Sequence, residues 1–125
     1  AGIAFQESWE IMTKSDYASV FKTVTNLLMQ KGCFFDGVFA TNDNMALACL
    51  HALHAQHIQV PDQVKIVGFD NVSISRFCHP ALTTITQNTE LMAEAAGDAL
   101  LKRIHHELDK QEFIIPVSLC VREST

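Results

Sequence analysis

Basic residues are scarce in this 125-residue chain: 9 Lys and Arg stand against 14 Asp and Glu, for a formal net charge of −5. That balance provides no basic footprint for DNA phosphates, so any nucleic-acid contact has to come from other residues. No apolar run approaches the ~20 residues of a bilayer-spanning helix, and the N-terminus lacks the basic-then-apolar pattern of a signal peptide. Cys33, Cys49, Cys78 and Cys120 form no close pair of the kind that marks zinc or thioredoxin-like sites, which predicts reduced, mostly buried thiols in a cytosolic protein. Catalytic signatures are missing as well: there is no G-x-S-x-G, no G-x-x-x-x-G-K-[ST], no G-x-G-x-x-G and no H-E-x-x-H. A phosphoacceptor receiver domain needs clustered acids after its first strand to hold a divalent cation, and only Glu7 stands there, which rejects that reading. The expectations are therefore no enzyme, no cofactor, no metal centre and no membrane partner. The start at Ala1-Gly2, without an initiator Met, reads as a processed or truncated product.

What is present is enough apolar matter for one packed domain, with 48% hydrophobic against 18% charged residues. Residues 1–5 read as the end of a strand and 6–15 as a loop. Tyr17, Val20, Phe21, Val24, Leu27 and Leu28 then follow the stripe of an amphipathic helix, capped by Ser15 or Asp16 and ended by Gly32. A short buried strand at 37–41 leads through Asn42-Asp43-Asn44 into a helix from about 45 to 57. A third strand at 64–69 runs into Asp70-Asn71, a β-rich run occupies 82–86, a helix opens at Asn88 or Thr89, and 113–121 reads as a strand interrupted or edged by Pro116. Strands alternating with helices predict an α/β domain with a mainly parallel sheet flanked by helices.

Ligands of open parallel sheets gather beyond the carboxyl ends of the strands. Asn42 and Asp43, Asp70 and Asn71, and Gln87 occupy those positions, and their amides and carboxylates suit vicinal sugar hydroxyls or the polar edge of a purine. Asp43 and Asn71 read more simply as caps and turn formers, whereas Asn42 and Asp70 are open between the two roles. Trp9, the one Trp, can stack on a sugar ring or plug the domain surface. Asp16 is an N-cap that can also face the cleft. His51, His54 and His57 repeat every third residue on one helix, but the outer pair is separated by roughly 600° of turn, so a solvated face is expected rather than a metal site.

Four segments in order carry a more specific message: F-A-T-N-D-N-M-A-L (39–47), V-P-D-Q-V-K-I-V-G-F-D-N (60–71), P-A-L-T-T-I-T-Q (80–87) and the ending V-R-E-S-T (121–125). Together they resemble the lactose/galactose-repressor (LacI/GalR) family of bacterial transcription regulators. The resemblance implies a type I periplasmic-binding-protein-like effector domain of two lobes, preceded by a DNA-binding helix-turn-helix. Residues 1–125 match its C-terminal part, mainly the C-terminal lobe, with the helix at 88–110 assigned to the N-terminal lobe and the DNA-binding domain absent. Asn42, Asp70 and Gln87 match the family's effector contacts and Asp16 falls near a more variable one. Asp70 is expected to be the strongest, because an ionised carboxylate takes two hydroxyl donors at once. The implied partners are a sugar or nucleoside effector and a second copy of the chain, in the cytoplasm, with Leu50, Leu53, Phe77 and Ala81 expected as exposed apolar groups at the dimer interface. Periplasmic sugar-binding proteins of transport systems share the fold and are the alternative. Without the other lobe, the helix after Asn88 is expected to dock on another copy or to fold back on its own lobe, covering Met92, Ala95, Ala96, Ala99, Leu100 and Ile104.

Overall fold

The computed structural model describes residues 6–106 and 112–125. The strand expected at 1–5 and the end of the helix expected to reach 110 lie outside the described residues.

The first helix, α1 (Tyr17–Lys31), begins where the Asp16 carboxylate accepts the Ser19 N–H and ends at Gly32, whose φ of 68° no β-carbon opposes. Its stripe behaves as the period predicts, burying Val20, Val24 and Leu28. Strand β1 (Gly37–Phe39) is followed by α2 (Asp43–Ala55), β2 (Lys65–Phe69), β3 (Thr83–Gln87), α3 (Thr89–Ile104) and β4 (Val117–Cys120). The sheet order is β1-β2-β3-β4, with the first two pairings parallel and β3–β4 antiparallel. The last strand is shorter than the sequence suggests and starts just after Pro116, which has no N–H for a ladder.

Helix α2 packs against both α1 and β2. It is consequently buried on two sides, and Leu50 (2% exposed) and Leu53 (0%) belong to the core with Ala46, Ala48 and Ala52. The expectation of Leu50 and Leu53 as exposed interface groups is thus overturned: a helix apolar almost all round serves the interior. The polar side of α2 is formed by His51 and His54, both exposed as expected of a solvated face, with His51 meeting the Tyr17 hydroxyl of α1. Among the described residues no three His, Cys, Asp or Glu side chains are placed to hold a metal ion. Of the cysteines only Cys49 is buried, and burial pushes its thiol up to about 11; Cys33 is exposed and Cys78 and Cys120 are half-buried, so the thiols are less sheltered than expected.

Alternation along β2 directs Ile66 and Gly68 to α2. On the other face, cross-strand partners place Phe39 beside Val67 and Leu119 beside Ile85, and Phe39 and Leu119 remain 61% and 59% exposed. Helix α3 buries none of its residues, and Leu100 and Ile104 are each 61% exposed. Fold-back of this helix onto its own lobe therefore does not occur. The apolar sides of α1 and α2 are already engaged with each other and with the sheet, and the Asn88 cap starts α3 directly from the carboxyl end of β3.

Gly68 is a point of close approach between sheet and helix. A β-carbon there would collide with Asp43 Oδ1 and come within 3.0 Å of Leu82 and 3.3 Å of Ala46. Gly68→Ala should destabilise the fold by about 1–3 kcal/mol through overpacking. The measurement is the urea midpoint followed by far-ultraviolet circular dichroism, where an unchanged value would contradict this packing.

Candidate functional site

The carboxyl ends of β1, β2 and β3 bring different groups to one edge of the sheet. After β1, Asn42 caps α2 by accepting the Met45 N–H on Oδ1 at 2.9 Å. Its amide N–H donors take no part in that cap, so the capping role leaves them for a second partner. After β2, Asp70 and Asn71 both adopt positive φ, 102° and 51°. The 102° of Asp70 is costly for a residue with a β-carbon and persists only where the surroundings impose it, whereas Asn readily takes the left-handed region near 51°. At the end of β3, Gln87 donates from Nε2 to Asp70 Oδ1 at 2.7 Å. Asp70 itself is exposed and Gln87 half-buried, so the pair is held together yet open to solvent.

Asp70 is not a helix cap. Its backbone N–H continues the β2–β3 ladder to Ile85, at 2.9 Å, while its carboxylate meets another strand's side chain. Gln87 also lines an open cavity of about 480 Å³, together with Thr86, Asn88, Glu90, Pro116 and Ser118. Two carboxylate oxygens, one of them outside the Gln87 hydrogen bond, and the amide oxygen of Gln87 make a set of acceptors suited to hydroxyl donors.

Asp16 and Trp9 share no hydrogen bond with this pair. Asp16 Oδ1 accepts the Ser19 N–H at 2.9 Å, and hydrogen bonding from Ser19, side chain first and backbone second, holds its carboxyl below the usual range. Trp9 ends a short 3-10 turn, Glu7–Trp9, and is 53% exposed, stacked on no other ring among the described residues.

Two residues with larger structural roles escaped the sequence reading. Asp43, which reads in the sequence as a cap or turn former, is wholly buried; its Oδ1 accepts the Thr84 hydroxyl at 2.5 Å and its Oδ2 the Val72 N–H at 2.8 Å. The signal for it was Gly68, a small residue facing the helix start. Arg122, noticed only as part of the closing motif, donates from Nη2 to Asn71 Oδ1 at 2.5 Å and from Nη1 to Ser75 Oγ at 2.9 Å and the Leu82 carbonyl at 2.7 Å. Nothing in its sequence neighbourhood indicates those partners.

Comparison with known proteins supplies the context. The family model for the periplasmic binding protein-like domain matches residues 3–125. The ribose operon repressor of Halalkalibacterium halodurans is 32% identical over 122 residues, which are 96% of this chain and 37% of that protein. The transcriptional regulator AscG of Escherichia coli K12 is 34% identical over 116 residues, 92% of this chain and 33% of that one. Among solved structures, the complex of the transcriptional regulator CelR with cellobiose superposes with a TM-score of 0.88 at 31% identity, covering 99% of this chain and 38% of the other. The chain thus spans roughly a third of the length of these curated relatives.

The Asp16 cap carries a pH signature. Its folded carboxyl lies below the unfolded value of 3.8, so its stabilisation of α1 is complete above that value and is lost as pH falls through the folded one. Acid titration followed by helical circular dichroism should show a shallower loss below about pH 4 for Asp16→Asn than for the parent. Identical curves would mean that the cap contributes nothing to acid sensitivity.

Proposed function

Because the chain belongs to the periplasmic-binding-protein-like family in its LacI/GalR regulator branch, we propose that it is the effector-sensing and self-associating C-terminal part of a cytoplasmic transcription regulator. DNA is then read by a domain outside these residues, consistent with the net charge of −5. The effector is a sugar or nucleoside carried on its hydroxyl groups, and the chain performs no catalysis. The observation that carries this reading is the Asp70–Gln87 pair, hydrogen-bonded at 2.7 Å and exposed at the carboxyl ends of adjacent parallel strands. Asn42 stands at the neighbouring strand end, with Asp16 and Trp9 as outer contacts. The CelR complex holds cellobiose, which favours the sugar class.

Such a site works as a switch when the effector binds one arrangement of two lobes more tightly than the other, since only differential affinity moves the equilibrium. Helix α3 belongs in this scheme to the second lobe. Its open apolar stripe, with Leu100 and Leu101 61% and 57% exposed, is the surface that lobe would cover.

Loss of the charged acceptor tests the site. Asp70→Ala in the full-length regulator should weaken sugar binding by about 1.5–3 kcal/mol, the usual worth of a hydrogen bond to a charged group, or roughly 10- to 150-fold in Kd. Calorimetry against a panel of mono- and disaccharides, including ribose and cellobiose, measures it; unchanged affinity for whichever sugar binds the parent would refute the assignment.

Self-association rests on a smaller surface than the sequence suggested, because Leu50 and Leu53 are core. Phe77, 79% exposed beside the 3-10 turn Ser73–Arg76, and half-buried Ala81 remain, joined by Ile74 at 47%. Phe77→Asp should shift the protein from dimer to monomer in sedimentation velocity. A parent that already sediments as a monomer would contradict the proposal.

A further inference from the structure

The turn that presents Asp70 is unusual in having two consecutive side-chain-bearing residues at positive φ, and it is held from three directions. From α2, Asp43 Oδ2 accepts the Val72 N–H; from β3, Thr84 Oγ1 accepts the Asn71 N–H at 3.3 Å. The third hold comes from the end of the chain, where Arg122 Nη2 reaches Asn71 Oδ1. It is the hold on the side chain of the turn rather than its backbone, and the Ser75 hydroxyl adds a longer hydrogen bond to the same Asn71 oxygen at 3.4 Å.

Arg122 is itself firmly seated. Its N–H donates to Thr83 Oγ1 at 2.8 Å, and the residues after it are stitched to the start of β3 and to β2: Glu123 and Ser124 donate their N–H groups to the Ala81 carbonyl, and Ser124 Oγ donates to the Ile66 carbonyl while accepting the Thr83 N–H. Among the described residues the guanidinium makes no ion pair. Its donors go to an amide oxygen, a hydroxyl and a carbonyl, all on the segment between β2 and β3. A planar fork with fixed donor directions is suited to holding one geometry across several acceptors.

We propose that Arg122 is a positioning residue for the binding site: by gripping the Asn71 side chain, it fixes the chain that leaves Asp70 and so holds the Asp70 carboxylate against Gln87. The relevance to ligand binding rests on the reading of Asp70 as an effector contact; the positioning itself does not. Asn71 is the intermediary, because holding it fixes the path of the chain after Asp70 and with it Asp70's own φ of 102°, which sets where the carboxylate leaves the strand. A purely structural Arg122 would stabilise the fold without controlling where Asp70 points.

The two roles separate in the side-chain amide spectrum of the 15N-labelled protein, with no ligand added. In the parent, the Gln87 Nε2 protons should resonate away from those of solvated glutamines, and Asp70→Ala should return them to that position. Asn71→Gly relieves the positive φ while removing the Arg122 acceptor. It should leave the urea midpoint unchanged or raised, yet bring the Gln87 signals to the Asp70→Ala position. Asn71→Asp keeps an acceptor oxygen and should keep the parent signals. Arg122→Gln should reproduce Asn71→Gly if it folds, and Asn71→Gly decides the matter if it does not. Parent-like Gln87 signals in folded Asn71→Gly would overturn the proposal. Should those signals move as expected while Asp70→Ala binds sugars like the parent, the effector reading of Asp70 fails and the positioning role stands.

Discussion

A buried carboxylate with no ion-pair partner among the described residues organises this domain. Asp43 sits in the first turn of α2, where the helix dipole favours negative charge, and its two oxygens receive one donor from β3 and one from the turn after β2. Burial of such a group is tolerable only when its hydrogen bonds are made. Helix, strand and turn are therefore obliged to keep their relative places, and Gly68 has to be small to let the helix start descend on the sheet. The same contact that closes the core thereby determines where the segment after β2 emerges.

That segment carries the candidate site. The regular ladder ends with the Asp70 N–H donating to Ile85, after which two positive φ values turn the chain away and leave the carboxylate facing Gln87. Rigid strands with a strained turn at their ends give a pair of polar side chains a stable spacing without covering them. Openness on one side is what a lobe needs if a second lobe is to complete the cleft. The apolar surfaces left exposed tell the same story, since Phe39, Leu119 and most of the α3 stripe lie away from the α1–α2 packing. Each Å² of such surface kept in water forgoes about 25 cal/mol, which favours its being covered by a partner surface.

Local rules read the helices well. The Asp16 cap and Gly32 end of α1, its buried stripe, and the caps at Asn42 and Asn88 all depend on neighbours within a turn, and hydrogen-bond geometry at that range is nearly context-free. The same is true of the strand ends, where alternating apolar runs stop at Asn42, Asp70 and Gln87. The pairing of Asp70 with Gln87 followed from the parallel order of adjacent strands rather than from either residue alone.

What sequence by itself determined was the α/β class, the three helices with their caps, the strand-end position of the candidate contacts and the four segments that tie the chain to its family. Tertiary structure decided which apolar faces are inside. Leu50 and Leu53 looked available because periodicity cannot orient a helix that is apolar on nearly every side, and α2 turned out to have neighbours on two of them. It decided also that Asp43 is structural, that Arg122 grips Asn71, and that α3 stands clear of its own lobe. The reason is common to all of these: burial and long-range hydrogen bonding depend on which distant segments the fold brings together, and spacing along the chain carries no measure of that distance.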